Sequence, residues 1–133
     1  MSKIIGIGND IIKISRIKSS FEKGGDRFLK RAFHDEEINN FKELFLINNE
    51  KGIEYLAGRW AAKESIYKAF GGQERSKLGF PNIKILNEQI TGKPIVNLQP
   101  PTFEYAKELG VKNIHIAISH DSDFAIANVI LES

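Results

Sequence analysis

Small and apolar residues recur about every 3.6 positions at Leu56, Ala57, Trp60, Ala61, Ile66, Ala69 and Phe70, the period of a helix buried along one side. Good helix formers fill the gaps, and neither Pro nor Gly interrupts Arg59 to Phe70. Gly71-Gly72 supplies the stop. Upstream, Ile4-Ile5-Gly6-Ile7-Gly8 is a short β-branched run bounded by glycine and reads as a buried strand, with Asp10 at its end. Ile11, Ile14, Ile17 and Phe21 make a helical stripe that Gly24-Gly25-Asp26 breaks. Arg27 to Phe33 resumes as a short helical or irregular basic segment. His34-Asp35-Glu36-Glu37 then opens a second helix, since acidic residues suit a first turn, and Ile38, Phe41, Leu44, Phe45 and Ile47 give its apolar side. Asn48 to Gly52 reads as a polar break before the central helix.

Beyond Gly72 the period shortens. Gln73 to Gly79 is a polar loop. Ile83 to Leu86 and Ile95 to Leu98 read as strands of one hairpin around Gly92-Lys93-Pro94. Pro100-Pro101 ends it, and Pro101-Thr102 opens a short helix through Leu109, ended by Gly110. Asn113 to Ile118 and Phe124 to Leu131 form a second hairpin, with Ser119 to Asp123 as its turn. The pattern predicts an α+β fold with a mainly antiparallel sheet packed with helices. At 133 residues it forms a single domain, 1–133.

Composition adds exclusions. Without cysteine there are no disulfides, thiolate metal sites or cysteine nucleophile, which fits a reducing cytosol. No apolar run approaches the ~20 residues of a membrane span. MSKIIGIGND lacks the apolar core and cleavage site of a secretory signal, so a cytoplasmic location is expected. The net charge of +2 does not by itself imply nucleic acid. Its distribution is uneven: Lys13 to Arg31 carries seven Lys/Arg against Glu22 and Asp26, and Asp35 to Glu54 carries six carboxylates against Lys42 and Lys51. The basic stretch suits an acidic partner.

Candidate chemistry is sparse. G-x-G at Gly6-Ile7-Gly8 lacks the third glycine and following helix of a dinucleotide fingerprint, and Gly92-Lys93 meets Pro94 rather than Ser or Thr. There is no H-E-x-x-H pair and no G-x-S-x-G elbow. What remains is Asp10 near a strand end and Glu64 on the helix, with Lys63, Lys68 and a double glycine close by. Taken singly, Asp10 suits a helix cap or turn, and Glu64 with Lys68 suits an exposed i,i+4 ion pair. Together, two carboxylates suit Mg²⁺, and ammonium groups with glycine amides suit phosphate. On residues alone, two readings stay open. One is a Mg²⁺-dependent enzyme acting on a nucleotide-like substrate. The other is a non-catalytic module docking an acidic protein or nucleic acid.

GIGNDI (Gly6 to Ile11), Arg16-Ile17, LAGRWAAKESIYKAFG (Leu56 to Gly71), GKP (Gly92 to Pro94) and HIAISH (His115 to His120) follow one another in the order and spacing of one family. The chain resembles the holo-[acyl-carrier-protein] synthases, the short bacterial-type 4'-phosphopantetheinyl transferases, over nearly its whole length. The resemblance implies that fold and a reaction supporting fatty acid biosynthesis. The 4'-phosphopantetheine arm of coenzyme A passes to a serine hydroxyl of apo acyl carrier protein, and adenosine 3',5'-bisphosphate leaves.

It also implies roles. Asp10 and Glu64 hold Mg²⁺, and Lys68 contacts the phosphates or the incoming hydroxyl. Arg59, Lys93, Pro94, Ser119 and His120 line the coenzyme A site. Arg16, Arg27 and Phe28 face the carrier protein. The assembly is a homotrimer with sites at subunit contacts, and neither nucleic acid nor membrane is a partner. The chain departs from the family pattern at Ala117, where serine is common, at His34, where threonine is frequent, and at Ile12, where some larger relatives carry a third carboxylate.

Overall fold

The computed structural model describes residues Met1–Ser133. Strand β1 (Ile4–Lys13) runs directly into helix α1 (Ile14–Ala32), followed by α2 (Asp35–Ile47) and α3 (Asn49–Ala69). A 3-10 turn at Phe80–Asn82 leads into β2 (Ile83–Asn87) and β3 (Pro94–Leu98). Helix α4 (Thr102–Glu108) precedes β4 (Asn113–Asp121) and β5 (Phe124–Glu132). One antiparallel sheet has the order β1-β5-β4, and β2 with β3 makes a separate antiparallel hairpin. The α+β class expected from the pattern is the one formed.

Helix α3 is the central element. Leu56, Ala57, Ala61, Ala62 and Ile66 are fully buried, and they meet Ala125, Ala127, Val129 and Leu131 on the inner face of β5. The small residues let backbone lie on backbone. A Cβ added to Gly8 would stand 2.0 Å from the Ser65 carbonyl oxygen, and one added to Gly6 would stand 2.1 Å from that of Ala69. The two glycines are therefore the contact of β1 with α3.

That reverses the expectation of a buried isoleucine strand. Successive residues of a strand point to opposite faces, so glycines facing the helix send the isoleucines outward. Ile5, Ile7 and Ile11 are 40%, 72% and 60% exposed. Ile7 lies opposite Ile130, and Ile11 opposite Ile126.

Other boundaries shift for local reasons. Ile11 to Lys13 continue β1 instead of starting a helix, because β5 pairs with them as far as Phe124. Asp10 thus lies within a strand and caps no helix. The α1 N-terminus is held from the β4–β5 turn: Asp123 Oδ1 accepts from Ser15 N at 3.1 Å and Oδ2 from Ser15 Oγ at 2.8 Å. The break expected at Gly24-Gly25-Asp26 is present: Gly25, at φ 52° and ψ −133°, is non-helical and divides α1 into two helical pieces across a kink. His34 caps α2, accepting from Glu36 N at 3.1 Å, while Glu37 accepts from His34 N at 2.8 Å.

The expected break at Asn48 to Gly52 is the first turn of α3, capped by Asn48 Oδ1 accepting from Lys51 N at 3.0 Å. Gly52 is there for helix packing, since a Cβ would stand 2.9 Å from Phe45 Cα. Ser119, His120 and Asp121 belong to β4, so the turn narrows to Ser122 and Asp123.

Candidate active site

Asp10 lies two residues beyond Gly8 on the same face of β1, so the close approach of strand and helix carries its carboxylate to α3. Lys68 Nζ donates to Asp10 Oδ1 at 3.1 Å and to the Asn9 carbonyl at 3.2 Å. The expected exposed pair of Glu64 with Lys68 is not formed; the lysine reaches across to the strand instead. Glu64 is half-buried and accepts no hydrogen bond from the chain. Burial, then the Asp10 charge, raise the Glu64 carboxyl above its ordinary range, against the pull of Arg75 and Lys68. The structure therefore brings Asp10, Glu64 and Lys68 together.

Beside Glu64 opens a cleft of about 360 Å³ lined by Phe28, Arg31, Trp60, Arg75, Leu78 and Phe80 among others. Phe28 is buried, with its ring centroid 6.0 Å from that of Trp60, and faces this cleft rather than open surface. Arg16 and Arg27 are exposed on α1. Arg75 has no counterpart in the sequence reading, where it falls in a plain polar loop. Its guanidinium lies 4.3 Å above the Tyr67 ring, and the Tyr67 hydroxyl donates to the Gly72 carbonyl at 2.6 Å. The only sequence signal was a cation closely following the double glycine.

Lys63 leaves the site. Adjacent to Glu64 in sequence, it points into the core, where its ammonium pairs with Glu37 at 2.7 Å and neither side chain is exposed. Burial lowers its pKa below the ordinary lysine range, against the opposing charge of Glu37.

The residues expected to line the coenzyme A site lie apart from Asp10, and within one chain no hydrogen bond joins them to one another. Arg59 is buried, donates to the Ile85 carbonyl at 3.3 Å and to Asn87 Oδ1 at 2.7 Å, and stacks 4.2 Å over Tyr55. Pro94 pairs with Asn87 across the hairpin, and exposed Lys93 precedes it. His120 Nε2 lies 3.2 Å from the Glu54 carbonyl and packs where a side chain on Gly58 would stand, 2.9 Å away. Ser119 is exposed on the outer face of β4. At about 100° per residue, Arg59 and Glu64 diverge by roughly 140° around the helix. No hydrogen bond or ion pair joins Asp10, Glu64 or Lys68 to Arg59, Lys93, Ser119 or His120 within one chain.

The family model of the 4'-phosphopantetheinyl transferase superfamily matches residues 6–129. The chain belongs to that superfamily. A holo-[acyl-carrier-protein] synthase from Yersinia enterocolitica is 36% identical over 130 residues, 98% of each chain. The crystal structure of a holo-[acyl-carrier-protein] synthase from Neisseria meningitidis superposes with a TM-score of 0.88 at 33% identity, covering 98% of this chain and 100% of that one. One from Bacillus anthracis, in complex with CoA (3',5'-ADP), superposes with a TM-score of 0.79 at 35% identity, covering 98% and 97%. The transferase accordingly has the fold and the enzyme class its motifs implied, and no helix in it is long and apolar enough to cross a membrane.

Proposed function

We propose that this transferase moves the 4'-phosphopantetheine group of coenzyme A to a serine hydroxyl of apo acyl carrier protein, in the cytoplasm and in support of fatty acid biosynthesis. The observation that carries the reading is the meeting of Asp10 with Lys68, beside a Glu64 held above its ordinary pKa, in a chain matching the superfamily from residue 6 to 129. The serine oxygen forms a bond to the phosphorus that bears the pantetheine arm. The bond from that phosphorus to the bridging pyrophosphate oxygen breaks, and adenosine 3',5'-bisphosphate leaves with the electron pair. The hydroxyl proton passes to Glu64 or to a water beside it.

Such transfers depend on placement and charge neutralisation more than on covalent help from the protein. Asp10 and Glu64 fit a divalent cation: both offer hard carboxylate oxygens, and the Asp10 charge opposes the ionisation of Glu64. No third His, Cys, Asp or Glu joins them, which suits Mg²⁺ keeping several waters. Bound there, Mg²⁺ would neutralise charge on the phosphate oxygens. Lys68, half exposed beside Asp10, brings an ammonium to the same phosphates. Arg59, Lys93, Pro94, Ser119 and His120 form the coenzyme A wall, and Arg16, Arg27 and the edge of Phe28 meet the carrier.

The wall and the carboxylates lie on different sides of α3, so the complete site joins two subunits of a homotrimer. The outward Ile7, Ile11, Ile126 and Ile130 supply an apolar face for that assembly. The deciding test is mass analysis of a purified apo carrier after incubation with coenzyme A and Mg²⁺. A gain of one phosphopantetheine per carrier is expected, lost when Mg²⁺ is chelated. An unmodified carrier would overturn the reading.

A further inference from the structure

We propose that Lys63, which touches neither Asp10, Glu64 nor substrate, is a positioning residue that sets the coenzyme A wall on the helix carrying Glu64. The inference rests on the reading of Arg59, Lys93 and Pro94 as that wall.

The Lys63 ammonium has three N–H donors and finds an acceptor for each. It donates to Glu37 Oε1 and to the Phe80 carbonyl, each at 2.7 Å, and to the Ile83 carbonyl. Glu37 completes the node: its Oε2 accepts from Ile85 N at 2.9 Å, and its Oε1 also accepts from His34 N at 2.8 Å. One turn earlier on the same side of α3, Arg59 donates to the Ile85 carbonyl at 3.3 Å. The chain from Phe80 to Asn87 is therefore fastened to α2 and α3 by side-chain charges acting on its backbone. Phe80, Ile83 and Ile85 each give the two cations a carbonyl, and Asn87 gives Arg59 a side-chain oxygen.

That fastening has a direction. Hydrogen bonds to backbone atoms fix the position of a strand along its own axis, which apolar packing does less strictly. β2 pairs residue by residue with β3 from Ile83–Leu98 to Asn87–Pro94, so a slip at Ile83 is passed to Pro94 and Lys93. Phe80, at the start of the fastened segment, packs edge-on to Trp60 at 5.2 Å and walls the cleft beside Glu64. Lys63 thus ties both walls to one helix.

The experiment compares Lys63→Met with the charge-free pair Glu37→Gln/Lys63→Met, which keeps the test available where the single variant does not fold. Steady-state KM is measured separately for coenzyme A and for the carrier, with Lys93→Ala as reference. The expected result is a KM for coenzyme A raised about tenfold, with the carrier KM held within about twofold, since misplacing a binding group by an ångström is costly while distant contacts stay intact. A folded variant whose two KM values both match wild type, with only kcat lowered, would show that Lys63 merely maintains the amount of folded protein and would overturn the proposal. If Lys93→Ala itself binds coenzyme A as wild type does, the assignment of the wall is wrong, whatever Lys63 does.

Discussion

Glu64 has a carboxyl held above its ordinary value of 4.5 by burial and by Asp10. The unfolded chain therefore holds fewer protons than the folded one between that value and the raised one. Stability of the metal-free protein should fall as pH rises through this window and level off above it. Glu64→Gln should flatten that slope while abolishing most turnover, which thermal melts across pH and the transfer assay would check together. A variant retaining near-wild-type transfer at limiting Mg²⁺ would count against the site. On the exposed side of α1, Arg16→Glu or Arg27→Glu should raise the KM for the carrier and leave coenzyme A affinity nearly unchanged, because rim charges chiefly steer association. Equal loss of both, by calorimetry, would point instead to misfolding.

At the scale of elements, the approach of β1 to α3 decides where Asp10 stands. Gly8→Ala drives a Cβ against the Ser65 carbonyl, and strand and helix must part. Overpacking of this kind costs about 1–3 kcal/mol. Transfer activity should fall further than stability, since Asp10 moves with the strand; melting temperature and activity at saturating coenzyme A separate the two. The same contact explains what the sequence concealed. Helical period made the body of α3 legible and acidic residues marked the start of α2, whereas the Asn48 cap of α3 reads in the sequence as a break; the hairpins followed from their turns. The inward face of the strand is hidden in the sequence because Gly6 and Gly8 look like punctuation in a run of isoleucines, whereas they are the residues packed on α3. The 4-residue spacing of Glu64 and Lys68 suggested one pair, but Lys68 finds Asp10, 58 positions away. Lys63 likewise finds Glu37 across 26 positions, a match no local pattern announces.

At the scale of the whole molecule, the carboxylates and the proposed coenzyme A wall lie apart in one chain, and the proposed trimer joins them. Asp10→Ala and His120→Ala should each be nearly inactive. Co-expressed equally and mixed at random, they should restore about a quarter of wild-type activity, because about one site in four pairs an intact Asp10 with an intact His120. No recovery in trimers shown to contain both variants would put the residues in one subunit. The outward isoleucines of β1 and β5 carry a last consequence. Under the proposed trimer, a site completed only by assembly would give the enzyme a minimum dose: rate per chain should rise with protein concentration until trimers saturate, then stay constant. Serial dilution of the purified protein before assay, followed by sedimentation at the same concentrations, would place the two thresholds side by side, and newly made chains in a cell would stay silent until enough neighbours had been translated.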